Sequence, residues 1–111
     1  MLPKQFRLNL KTDFKWVASG TRIDTPFAVI FLKEGENLTA RVGIALSSKN
    51  FRKAHDRNKA RRLISAAFES LFTTLKPNLN IVALPKSAVL EVKSTEVKKT
   101  LEEYLKKSGV L

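Results

Sequence analysis

The sequence predicts an α+β fold: a two-layer α/β sandwich in which three helices pack against one small, mostly antiparallel sheet. Its 111 residues are enough for one domain. Hydrophobic residues make up 43% of the chain, which can fill one modest core and exceeds what disordered chains carry. Segments with helical spacing alternate with short β-rich runs in the order α-β-β-α-β-α. We find no repeat or linker, so we expect residues 1–111 to form a single domain.

The N-terminal third is predicted to contain a helix followed by strands. The helix spans Thr12 to Ser19, with Thr12 as its N-cap and Gly20 as its stop. Residues 21–25 can add a short edge strand. A β-rich run, Pro26–Leu32, forms the next strand, because proline is tolerated at a strand's first position.

A polar connection at residues 33–39 leads to another strand at residues 41–46. The connection is short and contains Gly35, so we expect this strand to pair with Pro26–Leu32 as a β-hairpin.

A long helix is predicted from Lys53 to Leu75, because this stretch lacks Gly and Pro and is rich in helix formers. Its apolar residues recur at helical spacing and form one stripe: Ala60, Leu63, Ile64, Ala67, Leu71 and Leu75. Pro77 ends it. The wholly apolar run Ile81–Leu84 is typical of a strand buried on both faces.

The last helix is predicted over residues 95–107. Ser94 is its expected N-cap, Glu96 lies in its first turn, and Lys106 and Lys107 suit the negative C-terminal end of the helix dipole.

Charge is the strongest signal of function. The chain has 21 Lys and Arg against 10 Asp and Glu, a formal net charge of +11. Such an excess on a small domain favours a polyanionic partner, because each neutralised phosphate releases counterions. No apolar run approaches the roughly 20 residues that cross a bilayer, and there is no cysteine for a disulfide. We therefore expect a cytoplasmic protein with a nucleic-acid partner and no membrane.

The positive charge is concentrated at residues 49–62, where seven of the fourteen residues are Lys or Arg and Asp56 is the only acid. On a helix, Arg57, Asn58, Arg61 and Arg62 fall within an arc of about 140°. One-turn spacing allows guanidinium groups to bind neighbouring phosphates. The predicted RNA-binding residues are Lys49, Arg52, Lys53, Arg57, Asn58, Lys59, Arg61 and Arg62.

The segment from Lys53 to Leu63, KAHDRNKARRL, resembles the signature helix of the bacterial ribonuclease P protein family. Flanking segments are similar to other parts of that family in the same order: Thr12–Val17 to its aromatic first helix, Arg41–Ile44 with Ser48–Asn50 to the strand and crossover before the basic helix, and Ile81–Lys86 to the following strand. The similarity covers nearly the whole chain.

The resemblance implies a left-handed βαβ crossover and a function in tRNA maturation. The protein would be a non-catalytic subunit that binds a catalytic RNA and the single-stranded 5′ leader of precursor tRNA. The RNA subunit would hydrolyse the phosphodiester bond with Mg²⁺, and the protein alone would bind no cofactor. The leader would lie in a cleft between the first helix and the sheet, lined by Phe14, Phe31 and Trp16.

Four positions depart from the family pattern. Lys59 stands in place of an arginine and lacks its planar, bidentate fork. Ser48 replaces one of a basic pair, Ala18 replaces the second aromatic of the first helix, and Ser65 replaces a further arginine.

Two other functions fit the composition. A structural RNA-binding protein, such as a ribosomal component, has the same charge, and a DNA-binding module can present one basic helix. No helix–turn–helix pairing surrounds the basic segment, which disfavours DNA. Acidic residues are scattered and there is one histidine, His55, so we expect neither catalytic residues nor a metal site.

Overall fold

The computed structural model describes residues 3–47 and 49–109. Its elements are α1 (Leu10–Ala18), β1 (Thr21–Asp24), β2 (Ala28–Glu34), β3 (Arg41–Ile44), α2 (Ala54–Leu71), β4 (Leu79–Pro85) and α3 (Ser94–Lys107). Short 3-10 turns cover Lys4–Phe6, Phe72–Thr74 and Ser87–Glu91. The predicted α+β class with three helices is confirmed. The departure at Ser48 lies outside the described residues.

The four strands form one mixed sheet in the order β1-β2-β4-β3. The β1–β2 and β2–β4 pairs are antiparallel, and β3 runs parallel to β4. Helix α2 therefore connects two neighbouring parallel strands, as a βαβ unit does. The left hand of this crossover stays a prediction from the resemblance.

The predicted hairpin between the second and third strands is wrong. β2 pairs instead with β1, the edge strand predicted at residues 21–25, and with β4. β4 is buried on both faces along most of its length, so it takes the position between β2 and β3. The connection at residues 35–40 crosses the start of β4, where Asn37 Nδ2 donates to the carbonyl of Pro77 at 3.1 Å.

Several predicted boundaries also shift. Asn9, not Thr12, caps α1, since its side chain accepts a hydrogen bond from the Lys11 N–H at 3.1 Å. Pro26 lies in the turn before β2. Ser94 is the first residue of α3 and not its N-cap, a position that Lys93 occupies without a side-chain hydrogen bond.

The main core lies between one face of the sheet and helices α2 and α3. The predicted stripe of α2 is buried there, Leu63 only partly, together with Val97, Leu101 and Leu105 of α3. Helix α1 packs on the opposite face, where Val17 contacts Val82 of β4 in a second, smaller cluster. Because α1 covers only part of that face, a cleft remains beside it.

Candidate RNA-binding surfaces

The loop that leads from β3 into α2 is fixed by a buried ring. Phe51 is 1% exposed and belongs to the main core, and its N–H donates to the Ser47 carbonyl at 3.0 Å. The ring holds the loop against the protein while Lys49, Arg52 and Lys53 remain exposed. Three of the predicted RNA-binding side chains are therefore presented to solvent by an anchored loop.

Arg57 has a structural contact that the sequence did not reveal. Its Nη1 donates to the carbonyls of Phe51 at 2.8 Å and Arg52 at 3.2 Å. The guanidinium group is half-buried and ties the first turn of α2 to the loop before it. Arg57 thus positions the loop cations, and its other N–H groups can still reach a ligand.

Asn58, Arg61 and Arg62 lie together on the flank and outer face of α2. Arg61 Nη1 donates to Asn58 Oδ1 at 3.2 Å, so the two side chains orient each other. Arg62 is exposed beside them. We call Lys49, Arg52, Lys53, Asn58, Arg61 and Arg62 the basic surface.

Lys59 is engaged with the segment that follows β4. Its Nζ donates to the Leu90 carbonyl at 3.1 Å, in the 3-10 turn that follows β4. At ~100° per residue, positions 59 and 61 lie about 160° apart around the helix. Lys59 is therefore separated from Arg61, although Arg62 lies only about 60° from it around the helix.

Two of the three rings predicted to line the cleft lie on the same face of the sheet. Phe14 and Phe31 both pack, partly exposed, against the cluster around Val17 and Val82. A cavity of about 240 Å³ runs from Phe14 past Leu84 to Asn50 in the crossover loop. The cleft thus opens toward the loop that carries the basic surface.

Trp16 lies elsewhere. It is 41% exposed and on the far flank of α1 from Phe14, because two residues on a helix differ by about 200°. Lys33 Nζ lies 5.4 Å from the centre of its ring, within the range of a cation–π contact. Gly35 makes room for the indole, since a Cβ there would come within 2.9 Å of Trp16 Cη2.

Sequence reasoning missed two cations that border the cleft. Arg22 pairs directly with Phe31 across β1 and β2, and its Cζ lies 6.0 Å from the ring centre. Lys86 follows β4 and forms an ion pair with Asp24, next to Arg22 along β1. The hydrogen bond from Lys86 lowers the pKa of Asp24, with smaller contributions from the charges of Lys86 and Arg22. The strand pairing of β1 was the signal that could have revealed Arg22, but the expected hairpin concealed it.

Other kinds of site find little support in the described ranges. No three His, Asp or Glu side chains among residues 3–47 and 49–109 converge as metal ligands. No helix there is long and apolar enough to span a membrane.

Comparison with known proteins identifies relatives of the whole chain. A family model described as Ribonuclease P matches residues 2–109. A ribonuclease P protein component of Pseudanabaena is 33% identical over 100% of this chain and 97% of its own. One from Legionella pneumophila is 33% identical over 90% of each chain. The solved structure of the Thermotoga maritima RNase P protein matches with a TM-score of 0.80 at 27% identity, covering 91% of this chain and 96% of its own.

Proposed function

The chain belongs to the ribonuclease P protein family, and we propose that it binds the catalytic RNA of ribonuclease P and the 5′ leader of precursor tRNA. By doing so it promotes removal of the leader to give the mature tRNA 5′ end. We place this activity in the cytoplasm.

The observation that carries the proposal is the basic surface. Its five cations project from one anchored loop and one helix, and the only acid in residues 49–62, Asp56, is half-buried. Each Lys or Arg that neutralises a phosphate releases a counterion, which gives affinity without reading sequence. This surface suits the folded backbone of a large RNA.

The cleft suits a single strand. Phe14 and Phe31 offer partly exposed rings, and a base that stacks on such a ring gains roughly 1–3 kcal/mol. Arg22 beside Phe31 can contact the same base or its phosphate. The cleft's opening toward the crossover loop allows one strand to leave it beside the basic surface.

We assign the hydrolytic chemistry to the RNA. The described residues offer no cluster of carboxylates for Mg²⁺, so we propose that the RNA subunit holds the metal ions that activate water. The protein then contributes positive charge, which offsets repulsion between the catalytic RNA and its substrate.

Reconstitution tests the proposal. Purified protein, a bacterial ribonuclease P RNA, and both together are incubated with precursor tRNA at low millimolar Mg²⁺. We expect no cleavage by the protein alone and faster 5′ processing by the mixture than by the RNA alone. Equal rates with and without the protein would reject the proposed function.

A precursor with a one-nucleotide leader is the matched control. The protein should increase the cleavage rate more for a precursor whose leader fills the cleft than for this short-leader precursor. An equal rate increase for the two precursors would remove the cleft from the proposal and leave only the basic surface.

A further inference from the structure

A second cavity lies between α2 and the edge of the sheet, apart from the aromatic cleft. Its volume is about 170 Å³, and it is bounded by the N-terminal segment, β3 and one flank of α2. Leu8, Leu10, Val42 and Ile44 give it apolar walls, and Arg7, Arg61 and Ser65 supply the polar groups.

The apolar walls are held rigidly by backbone contacts. The Leu8 N–H donates to the Val42 carbonyl at 3.1 Å, and Arg7 forms a parallel bridge with Val42. At Gly43 a Cβ would come within 2.7 Å of Leu10 Cδ2 and 3.2 Å of Leu8 Cβ. The missing side chain lets the N-terminal segment press onto β3, which sets the width of the cavity.

Two of the polar groups, Arg61 and Ser65, come from the α2 flank that also carries part of the basic surface. Arg61 is oriented by Asn58 and has further N–H donors for a phosphate. Ser65 is only 3% exposed and lines the cavity one turn beyond Arg61. No Asp or Glu lines this cavity, so its charge favours an anion.

From this combination we propose that the cavity receives one unpaired nucleotide of the RNA partner, turned out of its helix. The planar base packs in the cavity against the apolar walls that the leucines and β3 form, Ser65 hydrogen-bonds a base edge, and Arg61 binds the adjoining phosphate. Pockets for drug-sized molecules have about 300–1,000 Å³, so this smaller space suits a single base. Sequence-specific recognition of RNA largely uses such splayed bases. The inference rests on the proposed function and adds a base-reading contact to the basic surface.

The test fills the cavity without changing any charge. Ser65→Leu places a larger side chain in the wall, and Ala66→Leu, at the exposed neighbouring position, is the matched control. Thermal melts establish whether both variants fold. We expect Ser65→Leu to weaken binding of ribonuclease P RNA by at least about fivefold, with an unchanged salt dependence, and Ala66→Leu to bind as the parent does. Equal affinity of the two variants would overturn the inference.

Chemical probing of the RNA supplies the second readout. The parent protein should protect the base of at least one unpaired nucleotide, and Ser65→Leu should remove that protection alone. Protection that survives in Ser65→Leu contradicts the inference. Failure of the parent protein to bind the RNA at all would instead reject the proposed function.

A titration of the parent protein covers the case in which Ser65→Leu does not fold. With methyl-labelled protein, adenosine or uridine monophosphate at millimolar concentration should shift the methyl signals of Leu8, Leu10 and Ile44 saturably. Inorganic phosphate should not shift them. Identical responses to nucleotide and phosphate would reduce the cavity to a phosphate contact and reject the base-binding site.

Discussion

The basic surface and the aromatic cleft offer different physical interactions to a ligand, although they lie on one small domain. The cations of the basic surface lie in residues 49–62, where Asp56 is the only acid and is half-buried. In the cleft, Phe14 and Phe31 supply rings, while the nearby Lys86 is paired with Asp24. In the proposed complex the first surface gains free energy from counterion release and the second from stacking, so salt should separate their contributions.

Helix α3 shows that the number of cations alone does not make such a surface. It carries four lysines but also three glutamates, and Lys106 pairs with Glu102 at 3.1 Å. Its net charge is close to neutral, whereas residues 49–62 keep a large excess. Unbalanced charge on an anchored segment is what distinguishes the proposed RNA contact.

The largest effect is expected when three cations of the basic surface are neutralised together. Arg52→Gln, Lys53→Gln and Arg62→Gln should reduce the salt slope of RNA binding by about two to three and the affinity by more than about tenfold. Filter binding across a salt series measures both. The control is Lys93→Gln, Lys98→Gln and Lys99→Gln at the start of α3, which removes the same net charge. If both triple variants lose the same RNA affinity and the same salt slope, net charge and not the basic surface drives binding.

The next effect is expected in the cleft. Phe14→Ala should weaken binding of leader-bearing precursor tRNA by about 1–3 kcal/mol, with little change for mature tRNA. Trp16→Ala, on the opposite flank of α1, should leave the preference for the leader intact. Equal losses with and without the leader would make Phe14 a packing residue, which its partial burial also permits.

Arg57 and Arg61 should separate positioning from phosphate contact. Arg61→Ala is expected to lower the salt slope by about one with little change in the free energy of unfolding. Arg57→Ala should lower the free energy of unfolding by roughly 1–3 kcal/mol, because two backbone carbonyls lose their hydrogen bonds to a charged donor. Urea unfolding and salt titration distinguish them. Equal stability of the two variants would show that the Arg57 contacts do not hold the loop.

The smallest effect is expected from Asp24→Asn, which frees Lys86 beside the cleft. Leader affinity at neutral pH should rise about two- to threefold, since an unpaired lysine gains a phosphate contact. Because Lys86 depresses the pKa of Asp24, the stabilising contribution of the pair is present above the unfolded pKa of about 3.8 and is lost as pH falls through the lower, folded value. Unfolding measured from pH 7 to pH 2 should show parent and variant converging in acid. A difference in the free energy of unfolding between parent and variant that grows as the pH falls would contradict this assignment.

The sequence predicted the elements better than their pairing. The stripe of α2 followed from local periodicity, and the burial of residues 81–83 followed from an unbroken apolar run, in which Leu84 is only half-buried. The position of β4 between β2 and β3 depends on contacts far apart in the chain, which local patterns do not record. The predicted hairpin failed for that reason.

The same distinction applies to the proposed site. Helical spacing grouped Asn58, Arg61 and Arg62, and the structure joins Asn58 to Arg61 by a hydrogen bond. Helical spacing did not reveal that Arg57 donates to backbone carbonyls, that Lys59 reaches Leu90, or that Arg22 lies over Phe31. Each of these contacts depends on a neighbouring segment and not on the helix itself. Which of these residues touch RNA stays a prediction.

The most direct measurement is the salt dependence of binding to leader-bearing precursor tRNA in complex with ribonuclease P RNA. It compares the parent protein, the triple variant of the basic surface and Phe14→Ala. The account predicts a shallower slope for the triple variant alone, and a parallel, weaker line for Phe14→Ala. Parallel lines for all three proteins would contradict it, because the basic surface would then make no phosphate contacts.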